Sequence, residues 1–206
     1  VVEYGEDFQA AYEYALALAE RESLHLVPAF HQWLVRGVAT YALELFRNAE
    51  LDVLYVPVGM GSAIIGSFAA RDALGLHTEI VAVVAENAPA LALSLERGAI
   101  TSAWAQTFAD GVACRTPDAE AFSMLKELKP RVVRVSETQI ADAVCRYFSD
   151  THNVAEGAGA LSLAAALADP EHDRYQIAGA VLTGGNVDPV AFARVLNGSA
   201  ALDCAR

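Results

Sequence analysis

Two unbroken apolar stretches constrain this chain more than any other feature of its sequence. DVLYVPV (52–58) and EIVAVVA (79–85) show no alternation of polar and apolar residues after their first residue. This pattern is typical of strands that are buried on both faces of a parallel sheet. Segments with helical spacing of apolar residues separate such runs, and no hairpin signal joins them. The sequence therefore predicts an α/β fold with a mostly parallel, twisted sheet flanked by helices.

The rest of the chain continues this alternation of strands and helices. Further strands are predicted at residues 1–4, 24–27, 131–136 and 177–182. Helices are predicted at residues 6–22, 31–49, 62–74, 88–98, 117–128 and 153–168, and from 136 and 188 onward. The second helix is predicted to bury Leu34, Val38, Tyr41 and Leu45. Asn87 is a predicted N-cap, and Ser136 with Gln139 fits a capping box.

The composition of the chain limits the classes of function. Of the 206 residues, 54% are hydrophobic, which is enough to bury a sizeable core. A net charge of −12 argues against a nucleic-acid surface, and no apolar run reaches the roughly 18 residues that span a membrane. Cys114, Cys145 and Cys204 are too few for a disulfide framework or a zinc site, and we expect them to be inert. We therefore expect a cytoplasmic protein that binds neither nucleic acid nor membrane.

The segment VPVGMGSAIIG (56–66) lies between a predicted strand and a predicted helix. Glycines let backbone N–H groups approach an anion, and the helix adds the positive end of its dipole, so the segment predicts a phosphate site. No lysine or arginine lies between residues 59 and 70, which excludes a Walker A loop. A dinucleotide-binding loop fits in part, because Glu86 imitates its ribose-binding acid but Ile64 replaces its third glycine. A tight turn without a ligand is a further alternative.

Four segments, taken in order, resemble those of one family. They are VPVGMGSAIIG (56–66), TFADGVA (107–113), THNVAEGAGALSLAAAL (151–167) and VLTGGNVDP (181–189). Together they resemble the fold-type II pyridoxal-phosphate enzymes, specifically the threonine/serine dehydratases, a group that also includes serine racemase. The segments GEDFQAAYEYA (5–15) and VPAFHQWLVRGVATYALELF (27–46) also look like family segments. The resemblance therefore extends over essentially the whole chain.

The resemblance implies where the cofactor pyridoxal 5'-phosphate binds. The family's phosphate loop matches Gly59, Met60, Gly61, Ser62 and Ala63. The family usually has four glycines there, and this chain keeps two. Because backbone N–H groups bind the phosphate, the substitutions need not abolish binding, and the Ser62 hydroxyl adds a side-chain donor. Thr183 matches the hydroxyl or thiol partner of the pyridine nitrogen. A neutral partner of this kind suits β-elimination.

Further residues match family positions near the cofactor. Glu156 resembles a family glutamate, and an interaction with the dipole of its own helix is the alternative. Asp110 is expected to be a structural hydrogen-bonding residue rather than an acid catalyst. Racemase-like members hold a divalent cation with a glutamate, a carbonyl and an aspartate, and Ala92 stands here in place of that aspartate. Glu86 and the Ala90 carbonyl are too few ligands, so we predict no divalent metal site.

The lysine that such an enzyme needs is missing from this chain. It holds the cofactor covalently and moves the Cα proton, whereas the only lysines here, Lys126 and Lys129, lie in a segment typical of a solvated surface. The resemblance therefore implies a portion of a threonine/serine ammonia-lyase, an enzyme that converts a hydroxy amino acid to a 2-oxo acid and ammonia. We expect the N-terminal third of the enzyme to be absent and the chain alone to be inactive.

The resemblance also implies how the chain is organised. Residues 1–27 are expected to be a remnant of the small domain, and residues 28–206 an incomplete large domain that binds the cofactor phosphate. The family implies a small amino acid as substrate and a homo-oligomer, either a dimer or a tetramer. The alternatives are a serine racemase-type enzyme, which Ala92 disfavours, and a non-catalytic module that binds a phosphate or nucleotide.

Overall fold

A parallel sheet of four strands organises residues 1–198, which are the residues that the computed structural model describes. The strands are β1 (Val53–Pro57), β2 (Glu79–Ala85), β3 (Arg131–Val135) and β4 (Ala178–Ala180). The helices are α1 (Phe8–Glu22), α2 (Gln32–Asn48), α3 (Ser62–Ala73), α4 (Ala90–Arg97), α5 (Ala119–Leu128), α6 (Glu137–Thr151), α7 (Gly157–Ala168) and α8 (Pro189–Leu196). The strand order is β3-β2-β1-β4, which confirms the predicted fold class. No helix among these residues has the length and hydrophobicity needed to cross a membrane.

The central strands β1 and β2 are buried on both faces. Leu54 and Val56 of β1 belong to one hydrophobic cluster, which α2, α3, α4 and α5 share. Val53 and Tyr55 belong to a second cluster on the opposite face, which α6, α7 and α8 share. Because neither face of these strands reaches water, every position along them favours an apolar side chain. This double burial accounts for the unbroken apolar stretches in the sequence.

The buried face of α2 is offset from the predicted one by a single residue. Of the predicted face, Leu34 is exposed and Val38 is half-buried, whereas Tyr41 and Leu45 are half-buried and pack against the cluster. The fully buried residues are instead Val35, Ala39, Ala42 and Phe46. The cause is close packing against α3, where a Cβ added to Gly66 would lie 3.1 Å from the Ala39 nitrogen. Such a short distance between helices requires small side chains at the contact. A small residue, Ala39, consequently lies at this contact.

Two of the predicted strands do not form. Residues 1–4 and 24–27 are irregular, and neither segment pairs with a strand in the part of the chain that the structure describes. A strand without a neighbour leaves its backbone hydrogen-bonding groups unpaired, so apolar residues alone do not stabilise it. The predicted helix between the two segments is confirmed as α1, although none of its residues is buried.

The predicted helix caps have different outcomes. Ser136 and Gln139 form the capping box at the start of α6, which confirms that prediction. Asn87 is not the N-cap of α4, because that helix begins at Ala90, immediately after Pro89. A residue that precedes proline disfavours helical backbone angles, so the helix cannot extend back to Asn87.

A network of charged and phenolic side chains lies at the amino-terminal edge of the sheet. Arg131 donates to both oxygens of Asp169, at 3.0 Å and 2.7 Å, and its Nε donates to Glu79 at 2.8 Å. Tyr55 donates its hydroxyl proton to Asp169 at 2.6 Å. Burial disfavours the charged form of Asp169, but the hydrogen bonds from Arg131 and Tyr55 outweigh it, and the pKa of Asp169 lies below its ordinary value. The network therefore stabilises the ionised carboxylate.

We predict that, because of this network, the fold becomes less stable as the pH falls into the acid range. Because the pKa of Asp169 is lower in the folded than in the unfolded chain, its stabilisation is present above about pH 4 and is lost as the pH falls through the folded value. Asp169→Asn should lower the free energy of unfolding by about 3–5 kcal/mol at pH 7 and flatten this acid dependence, as measured by urea denaturation. Asp142→Asn, which removes an exposed pair with Arg146, is the control and should leave the free energy of unfolding nearly unchanged. Equal losses in the two variants would contradict the prediction.

The hydroxyl of Ser162 in α7 is buried without a hydrogen-bond partner among residues 1–198. We predict that Ser162→Ala raises the free energy of unfolding by about 1 kcal/mol, because it removes an unsatisfied polar group. Ser67 is the matched control, since it is equally buried but bonds to the Ala63 carbonyl at 2.9 Å and to Tyr41 at 3.0 Å. Ser67→Ala should therefore destabilise the fold. Thermal denaturation measures both effects, and a loss of stability in Ser162→Ala would refute the first.

Candidate anion and cofactor site

The two predicted binding segments follow neighbouring strands. β1 pairs with β4 in parallel, with Val53 opposite Ala178 and Tyr55 opposite Ala180. Residues 59–63 come directly after β1, and Thr183 comes shortly after β4. The carboxyl ends of parallel strands meet at one edge of a sheet, which is where ligands bind in α/β folds. The fold therefore places both segments at the same edge.

The turn from β1 into α3 presents backbone donors that have no acceptor in the described part of the chain. Within residues 1–198, the N–H groups of Gly59, Met60 and Gly61 make no hydrogen bond. The first N–H groups of α3, which begins at Ser62, are unpaired by the geometry of a helix start. Gly61 precedes this helix with φ of 100°, a conformation that glycine adopts without strain. Unpaired N–H groups at a helix N-terminus are the donors to which a phosphate binds.

The two lysines of the chain do not serve this turn. Both belong to the end of α5, and the Nζ of Lys126 donates to the Gly98 carbonyl at 2.8 Å. Lys129 is the exposed C-cap residue of that helix. The side of α5 that packs against the turn is apolar, since a Cβ added to Gly61 would lie 3.3 Å from the Ala121 Cβ. Neither lysine therefore contributes a charged donor at this turn, where the unpaired donors are backbone N–H groups.

The backbone of the TFADGVA segment packs directly against this turn. A Cβ added to Gly59 would lie 2.9 Å from the Gly111 carbonyl oxygen. A Cβ added to Gly111 would in turn lie 2.9 Å from the Ala158 Cβ in α7. Asp110 accepts a hydrogen bond from the Gly111 N–H at 2.9 Å, in agreement with the structural role expected for it. The first three family-like segments thus lie in contact.

The TGGN segment packs against the start of α7. A Cβ added to Gly159 would lie 2.2 Å from the Gly184 carbonyl oxygen, so only glycine fits at this position. The Glu156 N–H donates to that same oxygen at 3.1 Å, and the Glu156 carboxylate accepts the Asn186 N–H at 3.2 Å. Glu156 makes no side-chain bond to its own helix, so its carboxylate holds the loop that bears Thr183.

Two sulfur atoms lie together beside the turn, which the sequence did not indicate. The Cys114 thiol donates to the Met60 sulfur at 3.6 Å. Burial raises the pKa of Cys114 to about 11, and burial followed by the charge of Asp142 raises that of Cys145. Both thiols are therefore protonated at neutral pH, as an unreactive cysteine requires. Cys204 lies outside the described residues.

The acidic side chains do not assemble a metal site in the described part of the chain. Residues 1–198 contain no cluster of three histidine, cysteine, aspartate or glutamate side chains placed to hold an ion. The Ala90 carbonyl, one of the two candidate ligands in the sequence, accepts a hydrogen bond from the Ser94 hydroxyl at 2.7 Å. That oxygen is therefore already engaged within α4.

A cavity of about 280 Å³ lies next to the site but is separate from the turn. Phe108, Val144 and Phe192 line its apolar part, and Glu156 and Asn186 border it. None of residues 59–63 lines it, nor does Thr183. Within the turn, Gly61 is buried and residues 59, 60, 62 and 63 are half-buried, whereas Thr183 is exposed.

Comparison with known proteins matches the same segments. The family model of pyridoxal-phosphate dependent enzymes matches residues 1–184. The L-threonine ammonia-lyase of Thermotoga maritima is 32% identical over 200 residues, which are 96% of this chain and 50% of that protein. The threonine dehydratase of Nicotiana attenuata is 34% identical over 195 residues, which are 91% of this chain and 32% of that protein. The chain thus spans half or less of the length of these relatives.

Solved structures show the same likeness. The processed form of threonine deaminase isoform 2 from Solanum lycopersicum superimposes with a TM-score of 0.88 at 29% identity, over 98% of this chain and 56% of that one. Maize serine racemase superimposes with a TM-score of 0.84 at 24% identity, over 96% and 64%, and at that identity it shows the fold alone. The family model and these relatives confirm the resemblance seen in the sequence, and the chain belongs to the family of pyridoxal-phosphate dependent enzymes.

Proposed function

We propose that this chain is the cofactor-holding portion of a threonine/serine ammonia-lyase. Its relatives named threonine ammonia-lyase and threonine dehydratase support that activity for the whole protein. The observation that carries the proposal is the set of unpaired N–H groups at residues 59–61, at the edge of the sheet where the family-like segments meet. The substrate would be a hydroxy amino acid, and the products a 2-oxo acid and ammonia.

The proposed phosphate site is the turn between β1 and α3. Gly59, Met60 and Gly61 would donate their N–H groups to the phosphate oxygens, together with Ser62 and Ala63 in the first turn of α3. The Ser62 hydroxyl makes no hydrogen bond among residues 1–198 and adds one donor. No lysine or arginine lies between residues 59 and 70, so the donors within the turn itself are neutral.

Thr183 is the proposed partner of the cofactor ring. When bound, pyridoxal phosphate supplies an electron sink for the carbanion that forms at the substrate Cα. A threonine hydroxyl, unlike a carboxylate, donates to a pyridine nitrogen without keeping it protonated. The weaker sink that results favours the loss of a β-leaving group. Glu156 would position Thr183 through its bonds to Gly184 and Asn186.

The rest of the active enzyme would lie outside this chain. Residues 1–27 are proposed to belong to the small domain and residues 28–206 to the large domain, in a cytoplasmic dimer or tetramer. Lys126 and Lys129 are both exposed, and Lys126 is engaged elsewhere, so neither is the catalytic lysine. The chain alone is therefore proposed to bind the phosphate without catalysing the reaction. The same observation also favours the alternative of a non-catalytic phosphate- or nucleotide-binding module.

We predict that the chain binds pyridoxine 5'-phosphate more tightly than pyridoxine, because the proposed turn recognises the phosphate. Pyridoxine 5'-phosphate lacks the aldehyde, so it does not react with surface lysines, and isothermal titration calorimetry measures its affinity. Gly61→Ala should weaken binding by about tenfold, since one lost charge-assisted hydrogen bond is worth roughly 1.5 kcal/mol or more. Equal affinities for the two ligands would overturn the proposed phosphate site.

Gly75 provides the matched control for this substitution. It lies beyond the other end of α3, also has positive φ, and has open space around the added Cβ. Gly75→Ala therefore introduces the same kind of backbone strain without altering the turn, and it should retain the affinity of the parent chain. Tighter binding of adenosine 5'-phosphate than of pyridoxine 5'-phosphate would instead support the nucleotide-binding module.

We predict that Gly159→Ala displaces the loop that bears Thr183, because the new Cβ would overlap the Gly184 carbonyl. Overpacking of this kind should lower the free energy of unfolding by about 1–3 kcal/mol and also weaken pyridoxine 5'-phosphate binding. Gly37→Ala is the control, since this position in α2 has no atom within 4 Å of the added Cβ. That variant should be more stable by about 0.5–1 kcal/mol. A neutral effect of Gly159→Ala would show that the contact does not constrain the loop.

A further inference from the structure

Residues 1–29, here called the N-terminal arm, lie outside both hydrophobic clusters. None of them contributes a buried or a partly buried side chain to either cluster, and the core begins at Phe30. The arm nevertheless contains α1, a helix of 15 residues. Isolated helices of this length are marginally stable in water. Some contact outside the cores must therefore help to hold the arm in place.

A pair of charged side chains supplies that contact. The Arg115 Nε lies 2.5 Å from one oxygen of Asp7, and its Nη2 donates to the other oxygen at 3.2 Å. Among residues 1–198, no other hydrogen bond or ion pair joins the arm to the remainder. The Nε itself makes no hydrogen bond among the described residues, so the pair combines one hydrogen bond with a close contact between opposite charges. Both side chains are only about one-third exposed, which distinguishes the pair from fully solvated surface pairs. We call this pair the Asp7–Arg115 bridge.

Each end of the bridge has a second structural role. Asp7 is the N-cap of α1 and accepts the Ala10 N–H at 2.9 Å, so the bridge contacts α1 at its N-terminal end. On the other side, the Arg115 carbonyl accepts the Ala103 N–H at 2.9 Å. Arg115 directly follows Cys114, whose sulfur contacts Met60 in the turn between β1 and α3. The bridge thus joins α1 to the segment that packs on the proposed phosphate turn.

We propose that the Asp7–Arg115 bridge is the attachment point that holds the N-terminal arm to the segment that packs on the proposed phosphate turn, and that breaking it loosens the arm and destabilises α1. Arg115 is then a positioning residue, since it acts on the turn through Cys114 and Gly111. The side chains of Arg115 and Asp7 are 36% and 32% exposed, so salt reaches the pair and screens it. The arm should therefore be held more loosely at high ionic strength.

Hydrogen–deuterium exchange of the full 206-residue chain tests this proposal without any ligand. Asp7→Asn removes the charge while keeping a side chain that caps helices equally well. Arg115→Gln breaks the same bridge without altering the arm. Either variant should speed amide exchange in α1 about two- to fivefold, and the double variant no further, whereas exchange in β1 and β2 should not change.

The control for charge alone is Glu22→Gln, which removes the exposed pair with Arg21 at the other end of α1. It should leave exchange in α1 unchanged. Raising the salt concentration from 0.05 M to 1 M should speed exchange in the parent chain and not in the two bridge variants. Unchanged exchange in both single variants overturns the proposal, as do additive effects in the double variant.

The effect on the phosphate turn rests on the proposed function and is tested separately. Pyridoxine 5'-phosphate should bind Arg115→Gln several-fold more weakly than the parent chain. If the parent chain does not bind this ligand, the proposed function fails while the exchange experiment still decides the bridge. If the ligand binds both chains equally and exchange in α1 rises, the bridge holds the arm but does not act on the turn.

Discussion

Close contact between backbones at glycine positions is the constraint on which the candidate site depends. Gly159 lets the start of α7 approach the Gly184 carbonyl, and Gly59 lets the turn after β1 approach Gly111. A side chain at either position would separate segments that lie far apart in the sequence. These contacts determine the positions of the unpaired N–H groups and of Thr183. They also determine the position of Glu156, which bonds to the TGGN segment. The candidate site thus depends on its glycines as much as on its polar side chains.

The two edges of the sheet differ in whether their polar groups are paired. At the amino-terminal edge, Arg131 and Tyr55 satisfy the buried carboxylate of Asp169. At the carboxyl-terminal edge, donors at the β1–α3 turn have no acceptor within residues 1–198. The apolar double burial of β1 and β2 separates these edges. A polar group that is already paired stabilises the fold, whereas an unpaired donor at the surface is available to a ligand.

The N-terminal arm differs from the rest of the described chain in how it is held. The remainder is joined by two hydrophobic clusters, whereas the arm is joined by covalent continuity and by the Asp7–Arg115 bridge. Apolar residues that the core does not cover, such as Val2, Tyr4 and Phe8, are exposed in the arm. This chain also spans half or less of the relatives it resembles. The arm is therefore the part whose environment most depends on what surrounds it in the whole protein.

Local patterns in the sequence determined the parallel sheet, the helices and the glycine turn. Double burial leaves an unbroken apolar stretch, and a glycine turn between a strand and a helix is recognisable from a few adjacent residues. Only the tertiary structure decided which face of α2 is buried, because the close approach of Gly66 in α3 places Ala39 at the contact between the two helices. It also decided that residues 1–4 and 24–27 form no strand, since a strand depends on a partner elsewhere. Two ion pairs, Arg131 with Asp169 and Arg115 with Asp7, join residues that are far apart in the sequence. Such contacts produce no local sequence pattern from which they could be predicted.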